Sequence, residues 1–145
     1  MFGSMDASAS GLTAERLRLD IIAGNLANAN TTRTPEGGPY RRKMPVFVQG
    51  VGNGFRSFLQ VFTRSLDEAQ GVQVAAVVSD ERPGKVKYEP GHPDADENGF
   101  VTMPNVDVVT EMVDMISATR GYEANVTAIN AAKQMAMRAL EIGRG

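Results

Sequence analysis

Apolar residues recur at intervals of seven near both ends of this chain. Met5, Leu12, Leu19 and Leu26 form one row. Val108, Met115, Tyr122, Ile129 and Ala136 form another, with Met112, Val126 and Leu140 beside it. Such spacing puts side chains on one face of an α-helix. All seven prolines lie between Pro35 and Pro104, so neither end segment contains a helix breaker. The pattern predicts an α+β fold: long N- and C-terminal helices paired as a coiled coil, with a small β-rich middle. The expected segments are 1–32, 33–104 and 105–145.

The first helix is expected from Ser4 to about Ala29, with Ser4 or Asp6 as its cap. Met5, Ala9, Leu12, Leu19, Ile22, Ala23, Leu26 and Ala29 make its apolar side, away from Arg16, Arg18 and Asp20. Gly11 and Gly24 each weaken the helix by about 1 kcal/mol relative to Ala, and leave room for a close neighbour. Asn25, Asn28 and Asn30 admit two readings, a helix-termination signal or polar contacts between packed subunits, and composition favours the first. The second helix is expected from Asn105 or Asp107 to Ile142, with Gly143 as its stop.

About 37 helical residues span ~55 Å, whereas the first helix spans ~38 Å. A compact globule of this chain length is about 40 Å across. Part of the second helix's apolar stripe therefore lacks cover within one chain. Burying about eight such residues is a large gross gain, roughly 1.5–3 kcal/mol each before ordering costs. The expected subunit-interface stripes are Met5, Leu12, Leu19, Ile22 and Leu26 on the first helix. On the second they are Val108, Met112, Met115, Tyr122, Val126, Ile129 and Leu140.

The middle is punctuated by turns. Arg33–Lys43 reads as a loop, and Arg41-Arg42-Lys43 as a solvated charge run. Val46–Val48 and Phe55–Phe62 read as strands of a hairpin turned at Gly50, Gly52 and Gly54. Gly71–Val78 and Lys85–Tyr88 are further strands, joined through the turn Arg82-Pro83-Gly84. Thr63–Gln70 fits a helical turn.

Composition adds mainly exclusions. Net charge is −2 across 145 residues, which gives no reason to expect nucleic acid. There is no cysteine, so disulfides and thiolate metal sites are excluded. No apolar run approaches the ~20 residues needed to cross a bilayer. The N-terminus has no basic start followed by an apolar run, so a cleaved secretory signal is not expected. Asn30-Thr31-Thr32 and Asn125-Val126-Thr127 match the glycosylation sequon, by chance in the absence of such a signal. Asp94–Gly99 looks like half of a calcium loop, but its twelfth position is Asn105 where a glutamate is needed. An acidic turn into Phe100-Val101 fits better. His92 is the only histidine and lies between two prolines. No residue set supports catalysis, and no cofactor or small-molecule substrate is expected.

Specific motifs then add to this reading. Ser8-Ala9-Ser10-Gly11-Leu12 and Ile22-Ala23-Gly24-Asn25-Leu26-Ala27-Asn28-Ala29-Asn30-Thr31 resemble the N-terminal signature of the bacterial flagellar rod and hook protein family. Pro35–Lys43, His92–Gly99, Pro104–Asp107, Glu111–Met115 and Arg120–Asn125 narrow the resemblance to the proximal rod. The match covers nearly the whole chain, and departs at Gly24, where Asn is common. The resemblance implies a structural subunit that self-assembles helically into the torque-transmitting drive shaft around the export channel. Implied partners are further copies, other rod proteins, the adaptor to the inner-membrane ring and the flagellar type III export apparatus. The implied location is the periplasm-spanning rod of the basal body, reached without a cleaved signal peptide. The competing reading is a non-enzymatic helical adaptor or binding module.

Overall fold

A computed structural model describes residues 2–49 and 71–143. The element order is α1 (Phe2–Ala27), β1 (Lys43–Gln49), β2 (Val72–Ser79), β3 (Val86–Tyr88), β4 (Phe100–Thr102) and α2 (Val108–Ile142). The α+β architecture is therefore present, with long helices at both ends of the chain and short strands between them.

Helix α1 begins at Phe2, so neither Ser4 nor Asp6 is its cap. It ends at Ala27, where Asn28 turns the chain: its side-chain Nδ2 donates to Gly24 O at 2.9 Å, and its backbone O accepts from Thr31 N at 3.0 Å. Helix α2 is capped by Asp107, whose Oδ1 accepts from Val109 N at 3.0 Å and Thr110 N at 3.3 Å. Gly143 N returns to Ala139 O at 3.1 Å and closes the last turn.

Among the described residues two two-stranded sheets form, β1 with β2 and β3 with β4. The expected hairpin partner of β1, Phe55–Phe62, lies outside the described residues, as do the turn at Gly50, Gly52 and Gly54 and Thr63–Gln70. Strand β3 runs antiparallel to β4 in the register Val86↔Thr102, Lys87↔Val101 and Tyr88↔Phe100. The Tyr88 and Phe100 rings meet edge-on at 5.2 Å, and Val101 is buried. Arg82-Pro83-Gly84 leads into this ladder rather than folding β3 back on β2. A Cβ on Gly84 would collide with the backbone of Met103, which is how closely the chain passes there.

The acidic turn before β4 is built on Asp96. Its Oδ1 accepts from Asn98 N at 2.9 Å and Phe100 N at 2.8 Å. Gly99 completes the turn at φ +82°, a conformation that favours glycine.

The chain forms two compact units. Among the described residues, the terminal unit comprises 2–16, 47–49, 71–75 and 118–143. The central unit comprises Leu17–Val46 and Ala76–Ser117. Each unit contains a stretch of both helices in antiparallel arrangement. In the terminal unit Gly11 faces Asn125 and Glu15 faces Gly121. In the central unit Arg18 faces Asp114 and Asn25 faces Glu111. Ala14, Ala118 and Ala132 are buried in the terminal unit; Ile22, Val101 and Val106 are buried in the central one.

Candidate assembly surface

The seam between the helices is not made by the long apolar rows. On α2 the buried positions are Glu111, Ala118 and Ala132, and Asn125 is half-buried in the same heptad row. Small and polar residues thus make up the buried row of α2, which is a different row from the two apolar ones expected. The physical reason is backbone proximity. Where Gly11 abuts Asn125 and Gly121 abuts Glu15, no space exists for a leucine-sized side chain.

The expected interface residues divide accordingly. Ile22 is buried. Met5, Leu12, Leu19, Leu26, Met115, Val126 and Ile129 are half-buried. Val108, Met112, Tyr122 and Leu140 are exposed, Leu140 at 71%. The structure adds exposed apolar residues outside the two expected rows. Val109 is 71%, Val113 62% and Ile116 55% exposed, and with Met112 they make one stripe at helical spacing. Met135, Met137 and Ile142 are exposed near the end of α2. The repeat 109, 113, 116 was visible in the sequence, masked by the stronger seven-residue rows.

The central unit is held by a polar cluster that sequence reading assigned otherwise. Asn25 is 1% exposed, and all its polar atoms are engaged. Its Nδ2 donates to Lys43 O at 2.8 Å and Glu111 Oε2 at 3.0 Å. Its Oδ1 accepts from Tyr40 Oη at 3.0 Å and Lys43 N at 2.9 Å. Neither reading of the asparagines describes Asn25, whose polar contacts are made within the chain. Arg42 likewise is not part of a solvated run. Its Nε donates to Glu111 Oε1 and its Nη2 to Asp114 Oδ2 at 3.2 Å. Arg41 and Lys43 are exposed. Burial of Tyr40, then the Glu111 charge, pushes its phenol pKa up.

Asn105 does not cap α2; it ties strands and loop together. Its Oδ1 accepts from Arg42 N at 2.8 Å, and its Nδ2 donates to Asp80 O and Arg82 O, both at 3.1 Å. Hydrogen bonds from the Arg82 side chain and backbone, with its charge, hold the Asp80 carboxyl down at about 2. Glu89 is also lowered, first by its hydrogen bond from Lys87.

In the terminal unit, Ser10 anchors the start of β2. Its Oγ accepts from Val72 N at 3.0 Å and donates to Ala7 O at 2.7 Å. Gly71 lies so close that a Cβ there would overlap Ser10.

Among the described residues, no group of three His, Asp or Glu side chains is arranged to hold a metal, and no helix is long and apolar enough to cross a membrane. His92 accepts from Asp94 N through Nδ1 at 3.1 Å, a turn-stabilising contact.

Comparison with known proteins matches both ends of the chain. Residues 5–33 match the family described as flagella basal body rod protein. Residues 97–142 match the flagellar basal body rod FlgEFG protein C-terminal family. The chain is 48% identical to the flagellar basal-body rod protein FlgC of Borreliella burgdorferi, over 100% of this chain and 99% of that protein. It is 48% identical to FlgC of Bacillus subtilis over 99% and 98% of the two chains. With FlgC of Salmonella typhimurium the identity is 43% over 96% and 95%.

Proposed function

The chain belongs to the FlgC family of flagellar basal-body rod proteins and is a structural subunit of the rod; on that premise we propose that it packs helically with like chains through the apolar faces of α1 and α2. The carrying observation is the exposed stripe Val109, Met112, Val113 and Ile116 on a 35-residue helix. Its own chain leaves that stripe in water. Contiguous apolar surface of this kind marks an interaction site. A heterologous contact between like chains, repeated without closing, generates a helical filament.

In this proposal Val108, Met112, Tyr122 and Leu140 contact neighbouring subunits directly. Met5, Leu12, Leu19, Leu26, Met115, Val126 and Ile129 are half-buried within the chain, and complete their burial in the assembly. Residues 1–32 and 105–145 act as the assembly segments, and 33–104 gives the subunit its individual contacts. The subunit stands in the proximal rod and transmits torque around the export channel, with no catalytic role. Its partners are other copies, other rod proteins and the adaptor to the inner-membrane ring. It reaches them through the flagellar export apparatus.

The test is a strain whose sole copy carries Met112→Asp or Leu140→Asp. Both side chains are exposed, so the fold tolerates the charge while a packed interface does not. Isolated basal bodies should lack rods, and motility should be lost. Normal rods in both strains would refute the assignment of this surface.

A further inference from the structure

We propose that Gly11 with Glu15 on α1, and Gly121 with Asn125 on α2, form a reciprocal clasp that sets the register of the antiparallel helix pair in the terminal unit. Each helix carries a glycine followed four residues later by a longer polar residue. In antiparallel pairing the two motifs meet head to tail. Asn125 lies over Gly11: a Cβ on Gly11 would stand 2.9 Å from Asn125 Nδ2 and 3.2 Å from its Cγ and Oδ1. Glu15 lies over Gly121: a Cβ there would stand 3.1 Å from Glu15 Oε1, 3.2 Å from Cδ and 3.4 Å from Cγ. Each side chain occupies the space that the opposite glycine leaves.

This arrangement discriminates between registers in a way the apolar rows do not. Rows of Leu, Met, Val and Ile are interchangeable in packing, and a slide exchanges one apolar contact for another. The clasp is different. A slide of one turn, about 5.4 Å, in one direction brings Asn125 onto Glu15 and crowds two long polar side chains together. The opposite slide brings Gly11 onto Gly121 and leaves a void. Overpacking and voids both destabilise a packed seam. The flanking buried residues Ala14 and Ala118 are small and add little discrimination of their own. The clasp also adjoins Ser10, which holds Val72 N. Adjacent residues of α1 therefore position both α2 and β2 in the terminal unit.

Two experiments on the full-length chain test the clasp. The first is a mutant cycle followed by urea denaturation. Asn125→Ala should lower the midpoint in the wild-type background and raise it in the Gly11→Ala background, because the alanine Cβ takes the space the amide vacates. The coupling should be about fivefold or more in the unfolding equilibrium constant. Gly121→Ala should cost less than Gly11→Ala, because the flexible end of Glu15 can withdraw. An equal effect of Asn125→Ala in both backgrounds would overturn the proposal. The second uses disulfide trapping, which is unambiguous because the chain has no cysteine of its own. Glu15→Cys with Gly121→Cys should cross-link on oxidation, and Glu15→Cys with Ser117→Cys, the one-turn slide, should not. Adding Asn125→Ala to both pairs should narrow the difference in yield several-fold. An unchanged difference would show that other residues set the register.

Discussion

Glu111 is fully buried, at 0% exposure, yet it is a carboxylate in a row whose other buried members are Ala118 and Ala132. Arg42 and Asn25 make that burial affordable by supplying a charge and hydrogen bonds. Removing one partner leaves the other uncompensated, so Arg42→Ala should destabilise the monomer by about 3–5 kcal/mol. Arg42→Lys should recover little of this, because an ammonium lacks the planar fork that reaches both Glu111 and Asp114. Urea titration of the purified chain measures both. Asp80 gives a pH dependence at the same scale. Its folded pKa, about 2, is below the ordinary 3.8. The unfolded chain therefore binds the proton more tightly. The stabilisation is present above pH 4 and fades as pH falls toward 2. Asp80→Asn should remove this part of the acid sensitivity, seen as a flatter dependence of thermal midpoint on pH across that window. None of these pairings was legible in the sequence. Asn25 and Glu111 are 86 residues apart, and nothing local marks either as buried.

At the scale of elements, helices α1 and α2 follow from local periodicity and from the absence of proline, and their existence was legible. Their ends were less so. Asp107 caps α2 as its side chain allows, whereas Asn105 is drawn away by Arg42, Asp80 and Arg82. The two internal glycines of α1 show how context overrides propensity. A Cβ on Gly24 meets nothing within 4 Å, while one on Gly11 meets Asn125. Gly24→Ala should therefore raise stability by about 0.5–1 kcal/mol, the ordinary helix-propensity gain. Chemical denaturation of the monomer checks this directly. The strands β1, β2 and β3 were each legible from their valine-rich runs. Their pairing was not, because pairing joins segments distant in sequence and leaves no local mark.

At the scale of the whole molecule, the chain satisfies much of its polar chemistry internally and leaves an apolar helix face in water. That imbalance favours association. Sedimentation velocity of the full-length chain should show larger species as concentration rises, more so in sulfate, which strengthens apolar burial. Val113→Asp with Ile116→Asp should keep the chain monomeric. The same pair should change monomer stability by no more than about 0.5 kcal/mol, as surface substitutions do. A monomeric wild type at high concentration and in high sulfate would count against assembly through this face.

The sequence by itself determined the two long helices, the β-rich middle and the family, because periodicity, proline placement and short motifs are local properties. It also showed that α2 carries more apolar surface than α1 can cover. Only the tertiary structure decided which residues fill the seam. Backbone proximity at Gly11 and Gly121 excludes large side chains there. In the central unit, the apolar stripe Val109, Met112, Val113 and Ile116 is left exposed. Burial of Asn25 and Glu111 was likewise a tertiary decision, since a polar group enters a core only where distant partners converge to satisfy it.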